Sequence, residues 1–242
     1  MLDLTELGDA ATEADAAARC ERAITPHGNV AAVCVWPRHV RVARSTLTGT
    51  TIPIATVVNF PTGDEAVPHV VESTELALAD GATEIDLVLP YRAMLEGAVE
   101  HVVLMLESVR SAASTGGALL KVILETGELG GPEAIDAAAR VAIAHGADFV
   151  KTSTGKTPVS ATPAATAVML HAIADTPWTV GLKASGGIRT LADAAVYLDQ
   201  ADQMMGPTWA TPRTFRFGAS GLLDALLAEI DRSAGFIGSG EY

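Results

Sequence analysis

Short apolar runs rich in β-branched residues alternate along this chain with alanine-rich segments of helical pattern. Strand alternating with helix predicts a parallel sheet, because parallel strands need a long crossover between them. Seven runs are typical of strands: VAAVCVW (30–36), IPIATVVNF (52–60), EIDLVLP (84–90), LLKVILET (119–126), DFVKTST (148–154), TVGLKAS (179–185) and TFRFGAS (214–220). A weaker run is expected near ADQMMG (201–206). Eight strand–helix units in 242 residues predict a closed (β/α)8 TIM barrel, with a doubly wound open sheet as the alternative.

No linker divides the chain into separate units. The sequence has no proline-rich, serine-rich or low-complexity stretch, and proline stands where helices are expected to begin, at Pro132 and Pro163. A barrel commonly reaches this length as one unit. We therefore expect a single (β/α)8 barrel domain over residues 1–242, with a flexible C-terminal tail from about residue 233.

Charge and composition exclude several classes of partner. The chain has 29 acidic and 16 basic residues, and its net charge of −13 opposes binding to nucleic acid or anionic lipid. The N-terminus does not resemble a signal peptide, and no apolar run reaches the roughly 18 residues of a membrane span. Cys20 and Cys34 have no metal-binding spacing, and no two histidines stand at i, i+4. We expect a cytoplasmic protein with no nucleic-acid or membrane partner, no metal and no cofactor.

Lysine is rare in this sequence, and its positions are informative. The four lysines all lie on expected strands or just beyond them. Period-2 alternation directs Lys151 and Lys183 into the barrel from consecutive strands, which lie roughly 4.8 Å apart. A neighbouring like charge favours loss of a proton, and a neutral amine can attack a carbonyl to form a Schiff base. For Lys121, the sequence supports a structural role in the barrel interior at least as well as a catalytic role.

Asp86 supplies a carboxylate for the same interior. In EIDLVLP the residues Glu84, Asp86 and Val88 share one face of the strand, while the alternate residues can pack against helices. Asp86 is therefore a candidate for acid–base chemistry beside the two inward lysines. The alternative is a structural salt bridge, which also perturbs pKa values.

Two glycine-containing turns are candidates for phosphate binding. SGGIRT (185–190) and FGASG (217–221) each follow an expected strand and lead into a helix, where backbone N–H groups can approach an anion. STGKTP is not a nucleotide P-loop, because Val150 stands where that motif requires glycine. Gly155 and Lys156 remain well placed for a simple phosphate contact. The sequence also lacks the G-x-S-x-G elbow of serine hydrolases.

Seven ordered blocks of the sequence carry a likeness to a known family. They are AAVCVWPR (31–38), ATVVNFPTG (55–63), EIDLVLPYRAMLEG (84–97), LLKVILETGEL (119–129), ADFVKTSTGK (147–156), GLKASGGIRT (181–190) and FRFGAS (215–220). The chain resembles the 2-deoxy-D-ribose-5-phosphate aldolase family from residue 2 to its last residue. The resemblance implies a class I aldolase that reversibly cleaves 2-deoxy-D-ribose 5-phosphate to D-glyceraldehyde 3-phosphate and acetaldehyde, through a lysine Schiff base and without a metal.

The resemblance also implies a role for each matching residue. Lys151 would form the Schiff base, Lys183 would tune its pKa, and Asp86 would take part in proton transfer. Substrate and phosphate would be bound by Thr154, Gly155, Lys156, Gly186, Gly187, Gly218 and Ser220.

Four further residues gain a role only from the resemblance or from their position. Asp3 and Thr5 match a D-L-T block, in which the carboxylate joins the proton relay and the hydroxyl lies near substrate. Tyr242, the last residue, matches a C-terminal tyrosine that assists proton transfer in some relatives. Cys34 is expected to be a buried residue behind the site, because a free cysteine in an apolar strand is usually a small hydrophobe.

Two departures from the family pattern lie in the expected phosphate turns, and only the one at Gly221 bears on substrate choice. Gly221 stands where many relatives carry a second serine, which removes one hydroxyl donor to phosphate, and KASGG (183–187) replaces the KPAGG of some relatives. One alternative is a Schiff-base aldolase for a different or unphosphorylated aldehyde. Another is a non-catalytic protein that binds sugar phosphate. The resemblance further suggests a homodimer.

Overall fold

A closed barrel of eight parallel strands forms the centre of the computed structural model, which describes residues 1–237. Consecutive strands are neighbours, and the last strand pairs with the first. The predicted (β/α)8 barrel is confirmed. Its strands are β1 (Leu2–Glu6), β2 (Ala32–Val35), β3 (Ile54–Val58), β4 (Glu84–Val88), β5 (Leu119–Ile123), β6 (Phe149–Lys151), β7 (Gly181–Ser185) and β8 (Phe215–Ala219).

Helices surround the barrel: α1 (Glu13–Glu21), α2 (Val40–Thr46), α3 (Val67–Asp80), α4 (Tyr91–Leu95), α5 (Val99–Thr115), α6 (Thr126–Leu129), α7 (Pro132–Ala144), α8 (Pro163–Ala174), α9 (Leu191–Met205) and α10 (Leu222–Ile237). A 3-10 turn at Pro37–His39 precedes α2, and Ile24–Thr25 pairs antiparallel with Gly28–Asn29. Helix α10 continues beyond residue 233, where the sequence predicted a tail. Within residues 1–237, no helix has both the length and the apolar character to cross a membrane.

One predicted strand is wrong. Residues 201–206 lie at the end of helix α9 and in its cap, and the eighth strand is β1 at the N-terminus. Helix α9 begins with a capping box in which Thr190 accepts from the backbone N–H of Asp193, and it continues without a break to Met205. Three of the five residues in β1 are polar, so the strand lacks the apolar character by which the other strands were recognised.

The barrel interior is ionic at its centre. Register places Asp86 beside Lys121, and it places Lys183 beside both Lys151 and Arg216. The alternate residues of the strands point outward and pack against the helices, as the fully buried Leu87 does. The interior of a TM barrel is usually filled by branched apolar side chains. Charged side chains concentrated there indicate a functional demand on this interior.

A phenylalanine and a glycine fill the layer below the charged groups. Phe149 is buried and lies directly opposite Gly181 in the ladder between β6 and β7. A Cβ atom on Gly181 would stand 2.2 Å from the aromatic ring, which is closer than atoms can pack. The guanidinium of Arg216 lies 5.6 Å from the centroid of the same ring. Glycine is therefore required at position 181 to leave room for the aromatic side chain.

Replacing Gly181 with alanine is expected to destabilise the protein by about 1–3 kcal/mol, because the added methyl overpacks the interior. Urea unfolding of the wild type and G181A measures the difference. The double variant G181A/F149L should recover part of the loss, since leucine leaves room for the methyl group. Equal stability of G181A and the wild type would contradict the packing explanation.

Candidate active site

Seven charged side chains meet inside the barrel, and each is at most 5% exposed. Buried charges are stable only when they are paired and hydrogen-bonded. If all seven were ionised, the cations would exceed the carboxylates by one. The cluster therefore becomes neutral when one ammonium group gives up its proton. Its carboxylates are Asp3, Glu84 and Asp86, and its cations are Lys121, Lys151, Lys183 and Arg216.

Asp86 is the centre of this cluster. Its Oδ1 atom accepts a hydrogen bond from the Nζ atom of Lys121 at 2.8 Å. Its Oδ2 atom accepts from the Nζ atoms of Lys151 at 2.9 Å and Lys183 at 2.8 Å. One carboxylate thus holds three ammonium groups from three consecutive strands. The predicted meeting of Asp86, Lys151 and Lys183 is confirmed.

Asp3 and Glu84 surround the rest of the cluster. The Oδ2 atom of Asp3 lies 2.7 Å from the Nζ atom of Lys183, and the Oε2 atom of Glu84 lies 2.6 Å from that of Lys121. Arg216 joins the two carboxylates, with Nη1 2.5 Å from Asp3 and Nη2 3.4 Å from Glu84. Lys121 and Lys183 therefore each contact two carboxylates closely, whereas Lys151 contacts only Asp86 among residues 1–237.

The lysines differ in pKa as their contacts predict. Burial lowers the pKa of Lys151, and the ammonium of Lys183 lowers it further, against the attraction of Asp86. Burial also opposes charge on the other two lysines, but Asp3 and Asp86 raise the pKa of Lys183, and Asp86 raises that of Lys121. Despite its burial, the three ammonium groups hold the pKa of Asp86 well below its usual value. Lys151 is the lysine of this cluster that loses its proton first.

A cavity of about 230 Å³ opens above Lys151 at the C-terminal ends of the strands, where barrel enzymes carry their active sites. Lys121 and Lys183 do not line it. A groove of about 330 Å³ elsewhere on the molecule is lined mainly by apolar side chains of α9 and α10. The smaller cavity is therefore the candidate site. Besides Lys151, it is lined by Thr5, Leu7, Thr154, Gly155, Ser185, Gly186, Gly187, Ile188, Arg189, Gly218, Ala219, Ser220 and Gly221.

Five of the residues that line this cavity are glycines. Gly155, Gly186 and Gly187 have φ angles of 78°, 86° and 81°, a backbone conformation that side chains disfavour. A Cβ atom on Gly186 would also stand 2.4 Å from the Oγ atom of Ser160. Bare backbone at such turns can present N–H groups to an anion. Arg189, which lines the cavity after the turn, adds a positive charge.

Glu125 holds the loop that carries Thr154. It is fully buried, stands two residues after the end of β5, and adopts the left-handed region at φ 55°. Its Oε2 atom accepts from the backbone N–H of Thr154 at 3.2 Å and also from the Thr154 hydroxyl. Its Oε1 atom accepts from the hydroxyl of Thr157 at 3.1 Å. Strained backbone of this kind is retained where a site requires it.

Not every predicted site residue reaches the cavity. Lys156 does not line it: its Nζ atom donates to the carbonyl of Leu7 at 2.8 Å and pairs with Asp9 at 2.5 Å. Cys34 is buried in the barrel beside Thr5 in the ladder, and burial raises the pKa of its thiol. The predicted Tyr242 lies outside the described residues. The phosphate role of Lys156 and the role of Tyr242 stay predictions.

Several residues of the site were not singled out from the sequence, and Arg189 and Ser185, which line the cavity, are two of them. Lys121 and Glu84 carried an available signal, because the period-2 pattern of their strands places both on the face that points into the barrel, but for Lys121 a structural role was equally consistent. Arg216 carried the same signal within FRFGAS. The sequence contained no sign of the role of Glu125, because the threonines that donate to it, Thr154 and Thr157, follow about thirty residues later. The described residues contain no group of three or more His, Cys, Asp or Glu side chains that could hold a metal ion.

Comparison with known proteins agrees with this geometry. The family model described as DeoC/LacD family aldolase matches residues 1–227. The chain belongs to this family of aldolases. It is 53% identical to the deoxyribose-phosphate aldolase of Agrobacterium fabrum over 228 residues, which cover 94% of this aldolase and 88% of the relative. The predicted resemblance is confirmed.

Solved structures share the fold of this aldolase. QR15, an aldolase, matches with a TM-score of 0.80 at 26% identity, covering 95% of this chain and 96% of its own. The deoxyribose phosphate aldolase of Aeropyrum pernix, a tetramer, matches with a TM-score of 0.77 at 24% identity, covering 94% and 90%. At that identity the second likeness shows the fold alone. The expected homodimer stays a prediction.

Replacing Glu125 with alanine is expected to destabilise this aldolase by about 2 kcal/mol, because three donors of the loop lose a charged acceptor. Glutamine should keep most of the stability: its carbonyl oxygen can accept from Thr154, and its amide can donate to Thr157. Urea unfolding compares E125A, E125Q and E128A, which removes an exposed carboxylate three residues later. Equal losses in E125A and E125Q would contradict the hydrogen-bonding explanation.

Proposed function

We propose that this aldolase cleaves 2-deoxy-D-ribose 5-phosphate to D-glyceraldehyde 3-phosphate and acetaldehyde through a Schiff base on Lys151. One observation carries the proposal: Lys151 lines the cavity, and its pKa is lowered while those of Lys121 and Lys183 are raised. A nucleophilic amine must be both accessible and neutral. The substrate is inferred from the relative in Agrobacterium fabrum and from the glycine-rich side of the cavity.

The reaction begins when the neutral amine of Lys151 attacks the C1 aldehyde of the open-chain sugar. Loss of water gives an iminium ion, which withdraws electrons from the neighbouring carbons. Removal of the C3 hydroxyl proton then breaks the bond between C2 and C3. D-Glyceraldehyde 3-phosphate leaves, and the two-carbon enamine stays on the lysine. Protonation at C2 and hydrolysis release acetaldehyde and restore the amine.

Asp86 and Lys183 are the proposed proton carriers. Asp86 touches both amines, and Lys183 connects it to Asp3, so a proton given up in one step can be held in the network until the enamine needs it. Acting through water, Asp86 would accept the C3 hydroxyl proton. Tyr242 is a second candidate for protonating the enamine.

The phosphate would bind at the glycine side of the cavity. Backbone N–H groups at Gly155, Gly186 and Gly187 supply donors, and Arg189 supplies a positive charge. Gly218 and Ser220 line the same side. The alternative with an unphosphorylated substrate is supported by Gly221, which provides no hydroxyl at this position.

Borohydride reduction with 2-deoxy-D-ribose 5-phosphate is expected to leave a stable adduct on Lys151, because reduction converts the iminium into a secondary amine. Peptide mass mapping locates the adduct. Unphosphorylated deoxyribose should give much less adduct under the same conditions, since it lacks the group that the glycine turns bind. The variant K151R should fold, give no adduct and lose turnover.

A folded wild-type protein that gives no adduct with either sugar would contradict the Schiff-base proposal. Stabilisation by the sugar phosphate without an adduct would favour the non-catalytic binding protein instead. Equal labelling by both sugars would retain the aldolase and reject the phosphate-binding role of the glycine turns.

The pH dependence of kcat/KM reports the protonation of Lys151. Only the neutral amine reacts, so kcat/KM should rise with pH through the lowered pKa of Lys151. In K183M a neighbouring positive charge is lost and Asp86 interacts more strongly with Lys151. Both changes raise the pKa of Lys151, and the rise in kcat/KM should move upward by about one pH unit.

The matched control is R41M, which removes an exposed cation paired with Asp80 on the outer surface. Its pH profile should coincide with that of the wild type. A profile of K183M that stays in place, or moves to lower pH, would contradict the role given to Lys183.

A further inference from the structure

The Ser185 hydroxyl is a buried polar group inside the candidate site. Ser185 ends β7, is 4% exposed and lines the cavity. Its Oγ atom is buried and has no hydrogen-bond partner among residues 1–237. A buried hydroxyl is normally satisfied, so one left without a protein partner at a cavity calls for a ligand or solvent partner.

The surrounding backbone keeps this hydroxyl in place. The Ser185 N–H donates to the Thr152 hydroxyl at 3.0 Å, and the Ser185 carbonyl accepts from the Ser153 hydroxyl at 3.1 Å. Opposite Ser185 in the ladder stands Gly218, where a Cβ atom would lie 2.3 Å from the Ser185 Oγ atom. Glycine at this position leaves the space that the hydroxyl occupies.

Ser185 lies between the reactive amine and the glycine turn. Lys151 and Lys183 are register partners, and Ser185 is two residues beyond Lys183 on the same face, roughly 6.6 Å further along the strand. Gly186 and Gly187 follow immediately. A ligand held by the amine at one end and by the turn at the other must pass this hydroxyl with its middle carbons.

We propose that the Ser185 hydroxyl binds the C4 hydroxyl of the substrate and determines specificity for it. This inference rests on the proposed function. In the open-chain sugar the middle carbons C3 and C4 both carry hydroxyls, and the C3 hydroxyl must face the proton carriers near Asp86. The C4 hydroxyl is adjacent to the phosphate-bearing carbon, and Ser185 is adjacent to the phosphate turn.

Thr154 is less suited to this contact. Its hydroxyl already donates to Glu125, so it can only accept from a ligand. Ser185 Oγ can both donate and accept. A hydroxyl that is free both to donate and to accept a hydrogen bond suits a substrate hydroxyl, which can also do both.

The synthetic direction provides a direct test, because the acceptor aldehyde can be varied at one atom. Acetaldehyde is condensed with D-glyceraldehyde 3-phosphate, whose C2 hydroxyl becomes the C4 hydroxyl, or with 3-oxopropyl phosphate, which lacks it. For S185A, the ratio of kcat/KM between the two acceptors should fall about fivefold to tenfold relative to the wild type, the usual worth of one hydrogen bond. Nearly all of the loss should be on the hydroxylated acceptor.

Two further variants distinguish the loss of this hydrogen bond from a general effect on folding. S185C keeps a side chain of similar size with only a weak donor, so its ratio should fall nearly as far. T74V removes a buried hydroxyl that donates to the Val70 carbonyl within α3 and does not line the cavity, and its ratio should match the wild type. Inhibition by inorganic phosphate should be unchanged in S185A, because the glycine turn is intact.

An unchanged ratio in S185A and S185C overturns the inference and leaves the proposed function standing. Weaker inhibition by inorganic phosphate with an unchanged ratio assigns Ser185 to the phosphate, which also overturns it. A folded wild type that condenses neither acceptor refutes the proposed function itself, and with it this inference.

Discussion

The shared carboxylate of Asp86 is the interaction on which the interior depends. Three ammonium groups in a barrel interior would repel one another and lose their hydration, at a cost of several kcal/mol per ion. Asp86 hydrogen-bonds all three, and Asp3 and Glu84 pair with two of them. The arrangement also removes most of the freedom of each lysine, so the amine of Lys151 is held in one position at the cavity.

Unequal sharing of the carboxylates gives the three lysines different chemistry. Lys121 and Lys183 each contact two carboxylates and stay charged, while Lys151 contacts one and lies at the cavity. Lys151 stands at the end of the short strand β6, which brings it to the cavity although it is only 3% exposed. The barrel interior thus holds two lysines whose pKa is raised and one, at the cavity, whose pKa is lowered.

Local pattern predicted most of the barrel and the centre of the site. Alternation along the strands placed Lys151, Lys183 and Asp86 inside, because period 2 determines which face a side chain occupies. It failed for β1, where polar residues face the ionic interior and the strand loses its apolar signature. It could not reveal Glu125, whose partners approach only when β5 and β6 become neighbours, nor that Asp9 would draw Lys156 away from the cavity.

The glycines of the site have two different physical tasks. Gly155, Gly186 and Gly187 line the cavity and adopt φ angles that other residues disfavour, so their task is conformational. Gly218 has no such constraint, and its task is steric, because a side chain there would collide with Ser185. A substitution at Gly218 would therefore alter the space around the Ser185 hydroxyl while leaving the phosphate turn at Gly186 and Gly187 unstrained. The proposed recognition of the hydroxyl and the proposed recognition of the phosphate are thus separable in this cavity, even though adjacent residues of one strand and its turn would provide both.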